Sequence, residues 1–194
     1  MPKLGMEPIR KDALVKATIS EIGRAGSLDV TVSQIARRAG MSPALAHHYF
    51  GSKEEMFLAA MRHILTLYGA EVRGALAAAE GPEARLRAIL RASFSPGNFR
   101  REAVSAWLNF WVLAQTVPQA RRLLAVYQRR LRSNLMSCLV PLSGDKAAAL
   151  ADGLGALIDG LYLREVLKSG PPDGLAAVAT ALNYLNSQLP GDDA

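Results

Sequence analysis

The chain has 194 residues, of which 50% are hydrophobic and 21% charged, so it has enough apolar residues for a sizeable core and is not intrinsically disordered. It contains no run of 18 apolar residues, and its first ten residues lack the apolar segment of a signal peptide, so we expect no membrane span, no secretion and a cytoplasmic location. A single cysteine, Cys138, excludes an intramolecular disulfide and a cysteine-built metal site.

The positive charge is concentrated near the N-terminus. Residues 1–53 hold eight lysines and arginines against four acids and contribute +4 of the formal net charge of +6. A basic segment of this kind indicates contact with a polyanion, although solvated helix faces would give the same balance.

Composition and periodicity predict an all-α protein of about nine helices. Alanine, leucine and arginine dominate, and runs of alternating β-branched residues are missing. Glycine and proline signals separate the predicted helices. These breaks lie at Gly26, residues 40–42, Gly81-Pro82, residues 95–98, Pro118, residues 141–144 and residues 170–172.

Residues 31–50 carry two complete helix-start signals. Thr31 followed by Gln34 is the pattern of a capping box, and the helix that it begins ends at Gly40. Ser42 and Pro43 then begin a helix of eight residues, Pro43 to Phe50. The two helices predict a helix-turn-helix motif whose second helix has the length that fits a DNA major groove.

The short second helix favours DNA binding over an ordinary helical hairpin or a protein-binding adaptor. Eight residues are too few to bury much apolar surface on their own. The helix nevertheless presents His47, His48 and Tyr49 beside a basic neighbourhood. We therefore expect double-stranded DNA as a partner.

These residues also resemble a known family. The run TVSQIARRAGMS from Thr31, followed by HHYFGSKEE from His47, is similar to the signature of TetR-type bacterial repressors. Segments 1–8, 106–111, 129–135 and 156–162 resemble the branch that represses glycine betaine synthesis from choline. The resemblance implies a homodimer that leaves its operator when choline or a close relative binds. It also implies a DNA-binding domain over residues 8–68 and a ligand-binding and dimerisation domain over residues 69–194.

The resemblance assigns roles within the motif. Tyr49 and Lys53 match family positions that hold DNA phosphates, whereas His47 stands where many relatives have tyrosine, so a phosphate and a base edge both stay open as its partner. Helix-start amides anchor the register without reading sequence, and we expect Ala44, Leu45 and His48 of the Pro43 to Phe50 helix to meet base edges or thymine methyls. The expected DNA contacts are Thr31, Ser33, Arg37, Ser42, Pro43, Ala44, Leu45, His47, His48, Tyr49 and Lys53.

An aromatic cluster is the candidate inducer site. Aromatic faces attract a quaternary ammonium group, and an aspartate such as Asp159 compensates its charge. Core packing is the alternative for Phe110 and Trp111, and a salt bridge to Arg132 or Arg164 is the alternative for Asp159. The expected ligand contacts are Trp107, Phe110, Trp111, Tyr127, Asp159 and Tyr162. The choice of choline depends on the resemblance, and another cationic or apolar effector is the alternative.

Two apolar stripes near the C-terminus are candidates for subunit association. Their leucines step by three and four residues, and the alternative is that both stripes face the core of their own protomer. The resemblance favours an intersubunit four-helix bundle. The expected interface residues are Leu150, Leu154, Leu157, Leu161, Leu175, Val178, Leu182, Leu185 and Leu189.

Catalytic and metal-binding patterns are missing from the sequence. It has no glycine-rich phosphate loop, His-Glu-x-x-His pattern or nucleophile elbow. Adjacent His47 and His48 point about 100° apart on a helix and are poorly placed to share a metal ion. We therefore expect no enzyme activity, no metal and no cofactor.

Overall fold

The computed structural model describes residues 5–189, which form nine α-helices and one short 3₁₀ helix. The helices are α1 (Met6–Ala25), α2 (Val32–Arg38), α3 (Pro43–Phe50), α4 (Lys53–Ala77), α5 (Pro82–Ser93), α6 (Arg101–Thr116), α7 (Pro118–Ser143), α8 (Ala147–Val166) and α9 (Gly174–Gln188), with the 3₁₀ turn at Gly144–Lys146. The all-α prediction is confirmed. Residues 1–4 of the family-like segment 1–8 lie outside the described residues. Within residues 5–189, the structure has no helix that is long and apolar enough to cross a bilayer.

Helices α1 to α3 and the start of α4 form an N-terminal helical head. Leu14 of α1, Ile35 of α2, Ala46 of α3 and Leu58 of α4 are all completely buried. Each helix therefore contributes one apolar face to a shared core and leaves its other faces to solvent.

Helix α4 joins this head to the rest of the protein without a break. It runs from Lys53 to Ala77, through the predicted boundary between residues 68 and 69. The rest of the protein, from the second half of α4 to α9, is called the body below. Head and body thus share one continuous helix, so a tilt of α4 in the body moves the head as well.

One predicted helix end is wrong. We placed a break over residues 141–144, but α7 continues through Pro141 and ends at Ser143. Pro141 is exposed and lies in the last turn, so the loss of one amide donor there does not stop the helix. The chain turns instead at Gly144, whose φ of 51° favours glycine.

Candidate DNA interface and ligand site

The helix-turn-helix is held by the caps that its sequence predicts. The Thr31 hydroxyl accepts a hydrogen bond from the Gln34 amide at 3.2 Å, and the Gln34 side-chain carbonyl accepts one from the Thr31 amide at 2.7 Å. The Ser42 hydroxyl accepts from the Leu45 amide at 3.2 Å. These local bonds set where α2 and α3 begin, and the buried residues Ile35 and Ala46 fix which faces point inward.

The predicted DNA contacts lie on α2, on α3, at their N-caps and at the first residue of α4. None of them is buried: Leu45 and Tyr49 are half-buried and the others are exposed. The structure therefore leaves the whole set accessible, and their contact with DNA stays a prediction.

Tyr49 and Lys53 are held in place by groups outside the motif. Arg10 of α1 lies 3.4 Å from the Tyr49 hydroxyl and donates to it, which leaves that hydroxyl's own proton free for another acceptor. The Lys53 ammonium donates to the Leu28 carbonyl at 3.4 Å and lies 5.7 Å from the centre of the Phe57 ring. The sequence did not indicate this role of Arg10, because Arg10 lies 39 residues from Tyr49 and only the fold brings the two together.

The ring of His47 has a defined hydrogen-bond partner. Its Nδ1 lies 3.1 Å from the Gly51 carbonyl oxygen. A carbonyl only accepts, so Nδ1 carries a proton and Nε2 of the neutral ring is an acceptor. A neutral His47 is therefore suited to an amino group on a base edge, whereas a phosphate contact requires the doubly protonated ring.

An ion-pair group that the sequence did not indicate ties α2 to α1. Glu21 of α1 is only 3% exposed and is bound by two arginines, Arg24 at 2.8 Å and Arg38 of α2. Hydrogen bonds from Arg24 and then from Arg38 lower the pKa of the Glu21 carboxyl. The bridge from Glu21 to Arg38 fixes α2 against α1, so the motif is held from behind by charge as well as by its core.

Trp107 lies at the centre of the aromatic cluster in the body. Its ring centroid is 4.6 Å from that of Tyr127, 6.1 Å from those of Phe110 and Tyr162, and 6.0 Å from that of Trp111. Trp107, Phe110, Tyr127 and Tyr162 are buried, and Trp111 is half-buried. The three helices α6, α7 and α8 thus bring together the aromatic residues that the sequence placed in one site.

Tyr68 of α4 is a further member of this cluster that sequence reasoning missed. Its ring lies 5.7 Å from that of Tyr127, and its hydroxyl lies 3.2 Å from the Ser93 hydroxyl. The Tyr162 hydroxyl donates to the Ser93 carbonyl at 2.6 Å. Burial raises the pKa of Tyr68 to about 12 and that of Tyr162 well above its usual range, so both remain neutral donors.

Asp159 adds a carboxylate to the edge of the cluster. The Tyr127 hydroxyl donates to Asp159 Oδ1 at 3.4 Å. Burial raises the pKa of Asp159 to about 6, and the Tyr127 hydrogen bond opposes this only in part. The alternative salt bridge does not form in the described chain: Arg132 binds Asp152 instead, at 2.8 Å, and Arg164 makes no bond to Asp159. The carboxylate therefore lies among aromatic rings without a cationic partner from residues 5–189.

Helix α6 connects the aromatic cluster directly to the head. The Ser105 hydroxyl donates to the Ile22 carbonyl at 3.5 Å, and the Asn109 amide donates to the Gly26 carbonyl at 3.3 Å. The helices approach so closely that a Cβ added to Gly23 would lie 2.7 Å from the Cα of Glu102. Helix α6 thus carries Trp107 on one face and contacts the C-terminal end of α1 with another.

Three of the nine predicted interface residues need correction. Leu150, Leu154 and Leu185 are 7%, 1% and 1% exposed, so they pack in the core of their own protomer. A step of three and four residues marks one arc of a helix but does not say what covers it. The remaining six are half-buried or, for Leu175, exposed: Leu157, Leu161, Leu175, Val178, Leu182 and Leu189.

Two family models match the chain in succession. Residues 14–60 match the model of bacterial regulatory proteins of the tetR family, and residues 82–190 match the C-terminal model of BetI-type transcriptional repressors. The two matches fall on either side of the middle of α4.

Full-length relatives are regulators of the same type. The HTH-type transcriptional regulator BetI of Brucella anthropi is 48% identical over 193 residues, covering 99% of this chain and 100% of that protein. The regulator of the same name from Agrobacterium fabrum is 50% identical over 190 residues, covering 97% and 92%.

Solved structures share the fold. A regulator from Pseudomonas aeruginosa PAO1 superposes with a TM-score of 0.79 at 26% identity, covering 95% of this chain and 92% of that one. A regulator from Saccharomonospora viridis, solved in complex with choline, has a TM-score of 0.81 at 23% identity, with coverages of 92% and 96%. The chain has a helix-turn-helix head and a helical body, and its similarity to transcriptional regulators extends over nearly its whole length. This chain therefore belongs to the TetR family of transcriptional repressors and has a BetI-type C-terminal domain.

Proposed function

We propose that this repressor controls genes of choline uptake and glycine betaine synthesis and leaves its operator when choline or a close relative binds in the body. The observation that carries the choice of ligand is the half-buried carboxylate of Asp159, which lies beside Tyr127 and has no cationic partner within residues 5–189. The names of the full-length relatives and the choline-bound structural neighbour agree with this choice.

A quaternary ammonium ion has the chemistry that this site lacks. It carries a positive charge without a hydrogen-bond donor, so it neutralises Asp159 and contacts ring faces at the same time. Each ring face contributes ~0.5 to 2 kcal/mol to binding of such an ion. Trp107, Tyr127 and Tyr162 are the rings that we assign to this contact, with Tyr68 completing the set. Phe110 and Trp111 contact Trp107 and support its position.

The close packing of these rings links binding to movement. The centroids of Trp107 and Tyr127 are 4.6 Å apart, a distance that leaves no room for a trimethylammonium group between the rings. A ligand that enters there separates α6 from α7. Because Ser105 and Asn109 hold α6 on the end of α1, the same displacement reaches the DNA-binding head.

On DNA, we assign the phosphate contacts to the Tyr49 hydroxyl, the Lys53 ammonium and the helix-start amides of α2 and α3. His47, with its acceptor Nε2 in the neutral ring, is assigned to a base edge. We place the functional boundary within α4, between residues 68 and 69, so that the DNA-binding domain covers residues 8–68 and the domain that binds ligand and pairs the subunits begins at residue 69. Tyr68, the last residue before the boundary, contributes its ring to the ligand site. We assign subunit pairing to the six accessible residues of the α8 and α9 stripes, among them Leu157 and Leu182.

Calorimetry on the purified dimer tests the ligand assignment. Wild-type protein should bind choline, Trp107→Ala should not, and both should bind the operator fragment upstream of the gene in a gel shift. Val112→Ala is the matched control, because Val112 lies on the same helix and is 54% exposed. Choline binding by Trp107→Ala equal to wild type would show that Trp107 only packs the core. A thermal-shift screen of other quaternary amines and apolar molecules separates choline from the alternative effectors.

A further inference from the structure

Arg10 lies where α1 meets the C-terminal end of α3. Its Nη1 atom is 3.4 Å from the hydroxyl of Tyr49, the side chain that is assigned to a DNA phosphate. The match to the family model of the DNA-binding head begins at residue 14, so that match assigns no role to Arg10. The role of this arginine therefore depends on what surrounds its guanidinium group.

The guanidinium group of Arg10 has no acidic partner within residues 5–189. Two lysines of the same helix each pair with an acid one turn earlier: Lys11 with Glu7 at 2.8 Å and Lys16 with Asp12 at 2.7 Å. Arg10 is half-buried, and its bond to a neutral hydroxyl leaves most of its N–H donors and its whole charge uncompensated. The charge is thus available to an anion from outside the chain.

The Tyr49 hydroxyl indicates where such an anion binds. Because Arg10 donates to this oxygen, the proton of the hydroxyl is free for another acceptor. A phosphate oxygen that accepts this proton lies next to the guanidinium group, which binds phosphate oxygens through two parallel N–H donors. One phosphate can therefore contact the hydroxyl and the guanidinium group together.

We propose that Arg10 contacts DNA and, together with Tyr49, binds one phosphate in each half of the operator. This inference rests on the proposed assignment of Tyr49 to a phosphate. In the free protein Arg10 holds the Tyr49 hydroxyl, and in the complex the phosphate neutralises its charge. The contact is independent of base sequence and extends the DNA interface from the helix-turn-helix to the first turns of α1.

Gel-shift titrations of the full-length protein at several salt concentrations test this contact. Arg10→Gln should lose roughly tenfold or more in affinity for operator and nonspecific DNA alike. The slope of log affinity against log salt should fall by ~1 for each phosphate contact that is lost. Arg10→Lys keeps the charge but not the planar fork, so it should retain the wild-type slope with a smaller loss of affinity.

Lys16→Gln is the matched control for these titrations. It removes the same charge from the same helix, but the Lys16 side chain is 65% exposed and already bound to Asp12. We therefore expect Lys16→Gln to bind DNA with the affinity and the salt slope of wild type. Equal behaviour of Arg10→Gln and Lys16→Gln would exclude the Arg10 contact.

A Tyr49→Phe background separates a phosphate contact from a positioning role. If Arg10 binds the phosphate itself, Arg10→Gln should weaken DNA binding and reduce the salt slope even when the hydroxyl is absent. A residue that acts only through the hydroxyl would have no effect in that background, and this result would overturn the proposal.

Operator fragments in which single phosphates are replaced by neutral methylphosphonates locate the contact. At one position in each half-site, the replacement should weaken binding of wild type, and the penalty should be smaller for both Arg10→Gln and Tyr49→Phe. Different positions for the two variants would contradict a shared phosphate.

Failure of the Arg10 contact is distinguishable from failure of DNA binding itself. If wild type binds the operator and Lys53→Ala reduces the salt slope while Arg10→Gln does not, the DNA assignment stands without Arg10. Arg10→Gln should unfold at nearly the wild-type temperature, because it loses a single long hydrogen bond of a half-buried side chain. Should it unfold earlier, Arg10→Lys on the methylphosphonate fragments decides the assignment in its place.

Discussion

Replacing Asp159 by asparagine should stabilise the free protein and abolish its response to choline. Burial raises the pKa of Asp159 from 3.8 to about 6, and each unit of such a shift corresponds to ~1.4 kcal/mol. The raised pKa means that Asp159 holds its proton more tightly in the folded state than in the unfolded state. The contribution of the protonated carboxyl to the stability of the fold is therefore complete below about pH 4 and is lost as the pH rises through 6. Ionised Asp159 thus costs the fold about 1 kcal/mol at pH 4.5 and about 3 kcal/mol at pH 7.5.

The measurement is the difference in free energy of unfolding between Asp159→Asn and wild type, from urea denaturation at equal protein concentration. The difference should favour the variant and increase by about 2 kcal/mol between pH 4.5 and pH 7.5, because titrations common to both proteins cancel. Asp152→Asn is the control: Asp152 is an exposed residue of the same helix, and its surface pair with Arg132 is worth ~0 to 1 kcal/mol. A difference that stayed constant with pH would contradict the burial argument.

The same variant tests the choline assignment at neutral pH. Wild type should gain stability from saturating choline, and Asp159→Asn should gain almost none. Because a bound ammonium ion favours the ionised carboxyl and lowers its pKa, the choline affinity of wild type should fall as the pH drops below about 6, by up to tenfold per unit. A choline affinity that is the same at pH 5 and pH 7.5 would remove Asp159 from the site.

Four further substitutions probe the DNA interface, the junction and the dimer. Tyr49→Phe and Lys53→Ala should weaken binding to specific and nonspecific DNA about equally in gel-shift titrations, and Lys53→Ala should reduce the slope of log affinity against log salt by ~1; a loss confined to the operator would point to base reading instead. Gly23→Ala should separate α1 from α6 and lower the unfolding temperature by several degrees, and an unchanged melting curve would mean that the helices do not pack this closely. Leu182→Glu should yield monomers in sedimentation velocity while the exposed-site control Leu67→Glu remains dimeric, and a dimer mass for Leu182→Glu would exclude that surface.

The DNA-binding motif was predictable because its signals are local. The caps at Thr31 and Ser42 lie three residues from the amides that they bind, so spacing along the chain gives the bounds of α2 and α3 directly. The groups that brace the motif were not predictable, since the Arg10–Tyr49 contact spans 39 residues and the Glu21–Arg38 bridge spans 17.

The sequence also grouped aromatic residues that the fold brings close together, without showing how they meet. Trp107 and Trp111 share a helix face by spacing alone, but Tyr68 joins them only because α4 packs beside α7. That Asp159 has no cationic partner within residues 5–189 depends on tertiary structure as well, because the sequence offered Arg132 as a partner and the fold pairs Arg132 with Asp152.

By itself, the sequence determined the helical elements, the helix-turn-helix and the family, because capping, periodicity and short motifs act over a few residues. The tertiary structure alone decided which apolar stripes face inward, since Leu154 is buried and Leu175 is 86% exposed although both belong to similar patterns. It also decided that Asp159 has no cationic partner within residues 5–189. Burial and charge pairing depend on which distant helices come together, and that information is not contained in the spacing of residues along one of them.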